Sequence, residues 1–351
     1  MTPANRMSRF RDVLSHVVST YTLLILAGVL FVVFSILLPT TFPTIFNIRS
    51  ILGTQSITAL LALAVMVPLA AGKFDLSVGY VLGLTEMLTI GLQVNSGLPW
   101  FVAIIIALAV GATAGLVSGL LVTFARIDSF IATLAVGTFL FGITNWYSSG
   151  QQIVGELSTD FTGIATQTFF QYVPMPAIIV GVVSLVLYLV LEYRPTGRRL
   201  FSLGANPRMA ELVGVPTTRY VIGVFIVSGT LAGLAGAILA SQLQAGQPDV
   251  GPGYLLPAFV GALLGATSVR VGRVNVGGTI TAVALLAIGI AGLQQLGADF
   301  FVQPLFNGFT LAIAVGLSGY AARRRIVRGR ADATHTTTRS TTEIPHPKER
   351  N

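Results

Sequence analysis

The chain has 351 residues, of which 53% are apolar and only 10% are charged, and its mean hydropathy is +0.80. A soluble domain carries about 25% charged residues, so this composition excludes a water-soluble globular protein. The absence of cysteine excludes disulfide frameworks and thiol catalysis. Basic loops at a membrane surface explain the net charge of +8 better than nucleic-acid binding does.

Apolar stretches recur along the chain, and about 20 helical residues are enough to cross a hydrocarbon core of roughly 30 Å. They predict an all-α polytopic membrane protein with about ten transmembrane helices. The predicted spans cover residues 19–39, 51–71, 76–93, 100–124, 130–147, 175–191, 220–242, 254–268, 275–295 and 300–320. The third and eighth spans are short or interrupted by glycine, which favours broken or partly re-entrant segments there.

Positive charges gather at alternate connections, and this asymmetry predicts the orientation. With both termini cytoplasmic, the inside connections carry these cations: Lys73, Arg126, Arg194, Arg198, Arg199, Arg208, Arg219, Arg270 and Arg273. The outside connections carry almost none, and Arg49 is the exception. We therefore predict a cytoplasmic N-terminal segment over residues 1–18 and a membrane domain over residues 19–321.

Residues 322–351 differ sharply in composition from the rest of the chain. They are rich in arginine and then in threonine, and they have almost nothing to bury, which predicts a disordered basic cytoplasmic tail. His335 and His346 lie in this tail, and we expect both to be solvated. The sequence has no cluster of carboxylates and histidines, so we expect neither a metal site nor a catalytic triad.

The connection between the second and third spans contains Lys73, Asp75 and Ser77 between two apolar runs. Its ordinary interpretation is a short turn in which Asp75 or Ser77 caps the next helix. The pair Gly72-Lys73 lacks the other residues of a phosphate-binding loop, so the sequence predicts no ATP site.

The segment Phe74-Asp75-Leu76-Ser77-Val78-Gly79 closely resembles a signature of sugar permeases in ATP-binding-cassette importers of the ribose, xylose and galactose type. That group shares a superfamily with branched-chain amino acid permeases. Similar segments follow in the family's order: 130–134, 197–206, 247–248, 251–254 and 264–268. The chain departs from the family pattern at Lys73, where glycine is common, and over residues 269–273, where the family is richer in glycine.

The long connection 192–219 contains the signals of a short helix. Asn206 suits the cap, Pro207 the first helical position and Gly214 the end. The helix carries Arg208 and Glu211, and its ordinary interpretation is an amphipathic connector. The resemblance implies instead the coupling helix that contacts the ATPase subunit.

Polar residues in or next to the predicted spans are candidates for the translocation pathway, because burying an unpaired polar group is costly. These candidates are Asp75, Ser77, Glu86 and Asn145, with Gln55 and Gln294 as further ones. Glu86 is the only carboxylate well inside a span, and the spacing predicts that it shares a helix face with Asp75. For any single residue, an interhelical hydrogen bond is the more ordinary explanation.

Glycines recur at four-residue spacing in three of the predicted spans. They are Gly111, Gly115 and Gly119, then Gly229 and Gly233, and finally Gly261 and Gly265. This spacing predicts close helix crossings rather than a substrate site.

The resemblance implies a non-catalytic permease subunit that moves a monosaccharide across the bacterial cytoplasmic membrane by ATP-driven alternating access. It implies as partners an ABC ATPase subunit that uses ATP and magnesium, an extracytoplasmic sugar-binding protein, a second permease copy or paralogue, and membrane lipid. The chain itself is expected to hold no cofactor. Two alternatives stay open: the same machinery importing a nucleoside, an autoinducer-like furanose or a branched-chain amino acid, and a stand-alone ion-coupled transporter.

Overall fold

The computed structural model describes residues 3–169, 172–299, 301–310 and 312, with side chains from residue 20 onward. The predicted tail 322–351 and the end of the tenth predicted span lie outside these residues. The described part of the chain is predominantly helical, as the apolar runs predict.

The helices follow one another with short connections. In chain order they are α1 (Pro3–Leu37), α2 (Ile45–Ala70), α3 (Val78–Val94), α4 (Trp100–Thr123), α5 (Ser129–Ser148), α6 (Thr159–Thr166), α7 (Met175–Tyr188), α8 (Pro195–Ala205), α9 (Pro207–Leu212), α10 (Thr217–Leu243), α11 (Val250–Gly265) and α12 (Val276–Gln295). A π-helical turn, Leu189–Tyr193, extends α7. Two short antiparallel strands, β1 (Thr168–Phe169) and β2 (Val173–Pro174), precede α7, and residues 302–310 are helical.

Seven helices in the described ranges are long and apolar enough to cross a membrane. They are α1 from Thr20, α2, α4, α5, α7 with its π-helical turn, α10 and α12. The helices at the third and eighth predicted spans, α3 and α11, are apolar but shorter, with 17 and 16 residues. The prediction of an all-α polytopic membrane protein is therefore confirmed.

The long helices and α3 run alternately between two ends of a bundle. One end, which we call the α8 end, holds the turns 71–77 and 266–275: Gly72 contacts Gly204 of α8, and Arg273 pairs with Glu192. The opposite end, called the α6 end, joins α12 to α2 through a 2.6 Å hydrogen bond from Gln295 to Asn47. The connections between helices that carry most of the lysine and arginine residues therefore lie together at the α8 end.

The bundle is built around α2 and α10. Residues 56–68 of α2 are all buried, so this helix is apolar on every side because it is enclosed by other helices. By contrast, the peripheral helices α1, α4, α5 and α7 expose large apolar side chains, including Ile36, Ile105, Phe139 and Leu185. Such continuous apolar exposure suits contact with lipid rather than with water.

Glycine contacts set the distance between α4 and α10. A Cβ atom added to Gly229 would collide with the carbonyl oxygen of Gly111, and one added to Gly115 would collide with that of Phe225. A Cβ atom on Gly233 would lie 2.8 Å from the Ala107 carbonyl oxygen. The predicted close crossing is confirmed for these glycines, because only glycine allows the two backbones to touch.

Three short elements are not expected from the sequence. The 148–174 connection contains α6 and the β1–β2 hairpin, and the connection after α7 and its π-helical turn begins with the 11-residue helix α8. None of them is long enough to produce a span-like apolar run. Contacts with distant parts of the chain stabilise them: Ser241 on α10, for example, donates a 2.6 Å hydrogen bond to the Phe161 carbonyl of α6.

The α4–α10 crossing gives a direct test. We expect Gly229→Ala to destabilise the protein by about 1–3 kcal/mol, because the added methyl group forces two backbones apart. Gly223→Ala on the same helix is the matched control, since nothing lies within 4 Å of a Cβ atom there. Thermal unfolding in detergent measures both variants, and equal midpoints would contradict the proposed tight contact.

Candidate functional site

The segment before α3 is extended and is held by hydroxyl groups of α5. The Phe74 amide donates a 3.1 Å hydrogen bond to Ser129 Oγ, and the Leu76 amide donates a 3.0 Å hydrogen bond to Thr133 Oγ1. Buried amides need such partners where no water is present. The two signature-like segments of the sequence, around Asp75 and around Ser129, are therefore parts of one contact.

Asp75 is fully buried in this segment. Its Oδ1 atom accepts hydrogen bonds from the Ser77 amide at 3.1 Å and from the Ser77 hydroxyl at 2.6 Å. Ser228 on α10 lies close enough to interact with the carboxylate, although Oδ2 has no well-formed hydrogen bond. Asp75 thus stabilises the turn into α3, whereas Ser77 occupies the cap position without a side-chain capping bond.

The expectation that Asp75 and Glu86 share a helix face is wrong. The α3 helix begins at Val78, after both Asp75 and Ser77. The amides before it are bonded to α5 side chains instead of to helical carbonyls, so the helical period does not reach Asp75.

Removal of the Thr133 hydroxyl tests how the signature segment is held. Thr133→Val keeps the side-chain shape but leaves the Leu76 amide without an acceptor, and we expect a loss of about 1–3 kcal/mol. Thr138→Val is the matched control on the same helix, because this exposed hydroxyl bonds only to the Leu134 carbonyl. Equal unfolding midpoints of the two variants would show that the contact contributes nothing.

A non-helical loop, residues 244–249, descends into the bundle from the α6 end and continues into α11, so this span is broken rather than re-entrant. Gly246 pairs with Ile153 through backbone hydrogen bonds of 3.0 and 2.8 Å, and the Gln247 amide donates to both carboxylate oxygens of Glu86 at 3.1 and 3.2 Å. Glu86 is fully buried midway along α3. The loop therefore reaches the middle of the bundle before α11 begins, which explains why α11 is short.

The α11 helix starts against α3 through glycines. A Cβ atom on Gly83 would lie 3.1 Å from the Gly251 Cα, and one on Gly251 would collide with the Gly79 carbonyl oxygen. The shortened helix, the loop and α3 thus form one tightly packed unit inside the protein. Non-helical backbone at this depth is tolerated only where protein or a water-filled cavity surrounds it.

A polar cavity of about 390 Å³ opens beside the loop 244–249. Its lining residues are Gln152, Gln247, Pro248, Asp249 and Val250. Two amides and an exposed carboxylate can exchange hydrogen bonds with a small polar solute, and the volume lies in the usual range for small-molecule sites. The sequence pattern did not single out Gln152 or Asp249, because their side chains converge only when the loop folds against residue 153.

Glu86 gives a prediction about this loop. Glu86→Ala removes the acceptor of a buried amide, so we expect hydrogen exchange at Gln247 to accelerate roughly tenfold or more. Glu86→Gln keeps an acceptor oxygen and is expected to stay close to the wild-type rate. Mass spectrometry of peptides covering 244–249 measures both variants, and an unchanged rate in the alanine variant would contradict the role of Glu86.

The other pathway candidates lie apart from this cavity. Asn145 donates a 3.0 Å hydrogen bond to the Phe141 carbonyl of its own helix, and Gln294 faces Gln303 at 3.5 Å. Gln55 lines a separate, mainly apolar cavity between α2, α7 and α12. In the described ranges, no three His, Cys, Asp or Glu side chains gather as a metal site.

A second candidate surface lies on α9 at the α8 end. Asn206 caps this helix by accepting a 3.1 Å hydrogen bond from the Met209 amide, and Gly214 ends it with a φ of +79°, so both capping predictions are confirmed. Arg208 is exposed, whereas the Glu211 carboxylate accepts a 3.0 Å hydrogen bond from Thr217.

The α9 helix also exposes three large apolar side chains: Met209, Leu212 and Val213. Leu212 and Val213 are 76% and 74% exposed, although they lie on a short helix outside the long apolar spans. Apolar groups clustered beside charged ones are typical of a protein contact surface. The sequence pattern indicated the charged residues of this helix but not these apolar ones.

Residues 47–318 match the family described as the branched-chain amino acid transport system / permease component. The chain belongs to this permease family. No solved structure is significantly similar to it.

Several curated members of the family resemble the chain over most of their length. The ribose import permease of Bacillus subtilis is 35% identical over 82% of this chain and 88% of its own length. The ribose import permease of Escherichia coli K12 is 33% identical over 82% of this chain and 89% of its own length. The D-allose transport permease of the same strain is 30% identical over 85% of this chain and 90% of its own length. The family resemblance inferred from the sequence segments is therefore confirmed.

Proposed function

We propose that this permease forms the membrane pathway of an ATP-driven bacterial importer for a monosaccharide of the ribose type. The observation that carries the proposal is the 30–35% identity to ribose and allose permeases over more than four fifths of the chain. The polar cavity beside Asp249 and Gln247 supports it, because sugar hydroxyls both donate and accept hydrogen bonds.

The proposed topology has ten spans with both termini in the cytoplasm. The shared location of the basic connections at the α8 end supports this orientation, since arginine and lysine favour the cytoplasmic side. The membrane domain then covers residues 19–321, the coupling loop covers 192–219, and the tail 322–351 is cytoplasmic. The cavity would face the outside of the cytoplasmic membrane, where a sugar-binding protein delivers its ligand.

The proposed ATPase contact is the surface of α9. Met209, Leu212 and Val213 supply apolar anchors, and the exposed Arg208 lies beside them. ATP and magnesium are then bound by the partner subunit, which this chain needs because it has no phosphate-binding loop of its own. A second permease copy or a paralogue, embedded with it in lipid, would complete the pathway.

In this proposal the chain contributes positioning rather than chemistry. Glu86 holds the loop 244–249, whose residues line the outer cavity, and Asp75 with Ser77 holds the turn that begins α3. Asn145, which bonds within α5, stays a candidate for contact after the helices rearrange. Closure of the ATPase against α9 would shift α8 and the helices attached to it, and thereby open the lower half of the pathway.

Reconstitution tests the function directly. The chain is placed in liposomes with the ABC ATPase and the sugar-binding protein of its own organism, and uptake of radiolabelled D-ribose is measured with competing D-allose, adenosine or leucine. We expect ATP-dependent ribose uptake that allose inhibits. Inhibition by adenosine or leucine but not by sugars would favour another solute, and uptake without the ATPase would favour an ion-coupled transporter.

Two variants test the proposed contact on α9. We expect Arg208→Glu and Leu212→Glu to reduce co-purification with the ATPase roughly tenfold or more, because they place charge in the contact. Val154→Glu is the matched control: this side chain is 66% exposed at the opposite end of the bundle. Normal co-purification and uptake in both α9 variants would contradict the contact.

A further inference from the structure

The α8 helix connects the proposed ATPase contact with two separate parts of the bundle. Its last residue precedes Asn206, the cap of α9, so a displacement of α9 acts directly on α8. The remaining attachments of α8 determine which helices follow that displacement.

One attachment is a cluster of four side chains beside the end of α7. It consists of three charged residues, Glu192, Arg270 and Arg273, and of the aromatic ring of Phe201. Arg273 donates to both oxygens of Glu192 at 2.8 Å, and Arg270 forms a second ion pair with the same carboxylate. The guanidinium of Arg273 also lies 3.8 Å from the centre of the Phe201 ring on α8. One arginine from the α11–α12 turn therefore touches both α7 and α8.

The Glu192 side chain is only 9% exposed, whereas Arg270 and Arg273 are 48% and 35% exposed. A largely buried carboxylate needs its cationic partners, because an unpaired charge away from water is strongly disfavoured. A planar guanidinium suits this place, because one of its nitrogens contacts the Glu192 carboxylate while its flat face stacks on the Phe201 ring. These interactions hold the four side chains in one arrangement.

The turn that carries the two arginines is itself stiff. Asn275 donates to the carbonyls of Gly265, Ser268 and Arg273 at 3.1–3.3 Å, and its own oxygen accepts a 2.7 Å hydrogen bond from Gly278. The Val269 amide bonds to the Thr20 carbonyl at 2.7 Å, which fixes the turn to α1. A displacement of Arg273 thus moves the whole α11–α12 turn.

The other attachment lies at the far end of α8. A Cβ atom on Gly72 would lie 3.2 Å from both the Cα and the carbonyl oxygen of Gly204, so α8 contacts the turn before Asp75 backbone to backbone. The start of α8 is fixed as closely, because a Cβ atom on Gly197 would collide with the Leu191 carbonyl. The α8 helix is consequently in close backbone contact with the rest of the bundle at both of its ends.

We infer that the Glu192–Arg270–Arg273–Phe201 cluster is the joint through which movement of α8 and α9 reaches α7, α11 and α12. Its members are positioning residues: they touch neither the cavity nor the exposed face of α9. The inference rests on the proposed function, because it takes α9 as the ATPase contact. Loss of the joint should leave the ATPase bound and active but should separate ATP hydrolysis from sugar movement.

The test compares the number of D-ribose molecules taken up per ATP hydrolysed in proteoliposomes that hold the complete importer. We expect Arg273→Met to lower this ratio roughly tenfold, the order of a typical coupling between two sites. Arg273→Lys, which keeps the charge but not the planar group stacked on Phe201, should recover part of the ratio. Arg126→Met, at an exposed arginine of the α4–α5 turn, is the matched control and should keep the wild-type ratio.

Co-purification with the ATPase separates coupling from folding. If Arg273→Met assembles normally and keeps the wild-type ratio, the joint is refuted. If that variant fails to assemble, Glu192→Gln and Phe201→Leu replace it, and wild-type ratios in both of them refute the joint equally. A wild-type complex that neither binds an ATPase nor takes up ribose refutes the proposed function instead, since that result does not depend on any variant.

Discussion

The hydrocarbon core offers no water, so every backbone amide and carbonyl within it needs a partner inside the protein. Helices meet this condition by themselves, but non-helical segments do not. Residues 244–249 leave the helical path beside α3, where Glu86 and the backbone of Ile153 supply their partners. Residues 73–77, at the α8 end, are held in the same way by the hydroxyls of Ser129 and Thr133. These few side chains allow α3 and α11 to be short.

The same condition explains why glycine is so frequent in this chain. Lipid is as apolar as a leucine side chain, so helices associate through close packing rather than through hydrophobic burial. Gly111 and Gly229 let α4 touch α10, Gly83 and Gly251 let α3 touch α11, and Gly204 lets α8 touch the turn at Gly72. Both the permanent core and the proposed moving contacts thus depend on backbone approach.

Much of the architecture follows from the sequence, and the exceptions have a common cause. Apolar length alone locates the long helices, and Asn206 with Gly214 marks both ends of α9 because capping is a local interaction. The pairing of Glu86 with Gln247 spans 161 residues, and that of Glu192 with Arg273 spans 81, so no local pattern contains either. The expected shared face of Asp75 and Glu86 fails for the same reason: side chains on α5, distant in sequence, decide where α3 begins.

The contact between Glu86 and Gln247 has a consequence for how substitutions in this chain act. Glu86 is the ninth of the 17 residues of α3, and both of its carboxylate oxygens accept the Gln247 amide there. One side chain thus supplies the acceptor that a helix would otherwise provide from its own backbone. A substitution of Glu86 therefore acts first on the backbone of a segment 161 residues away, and only then on its own helix.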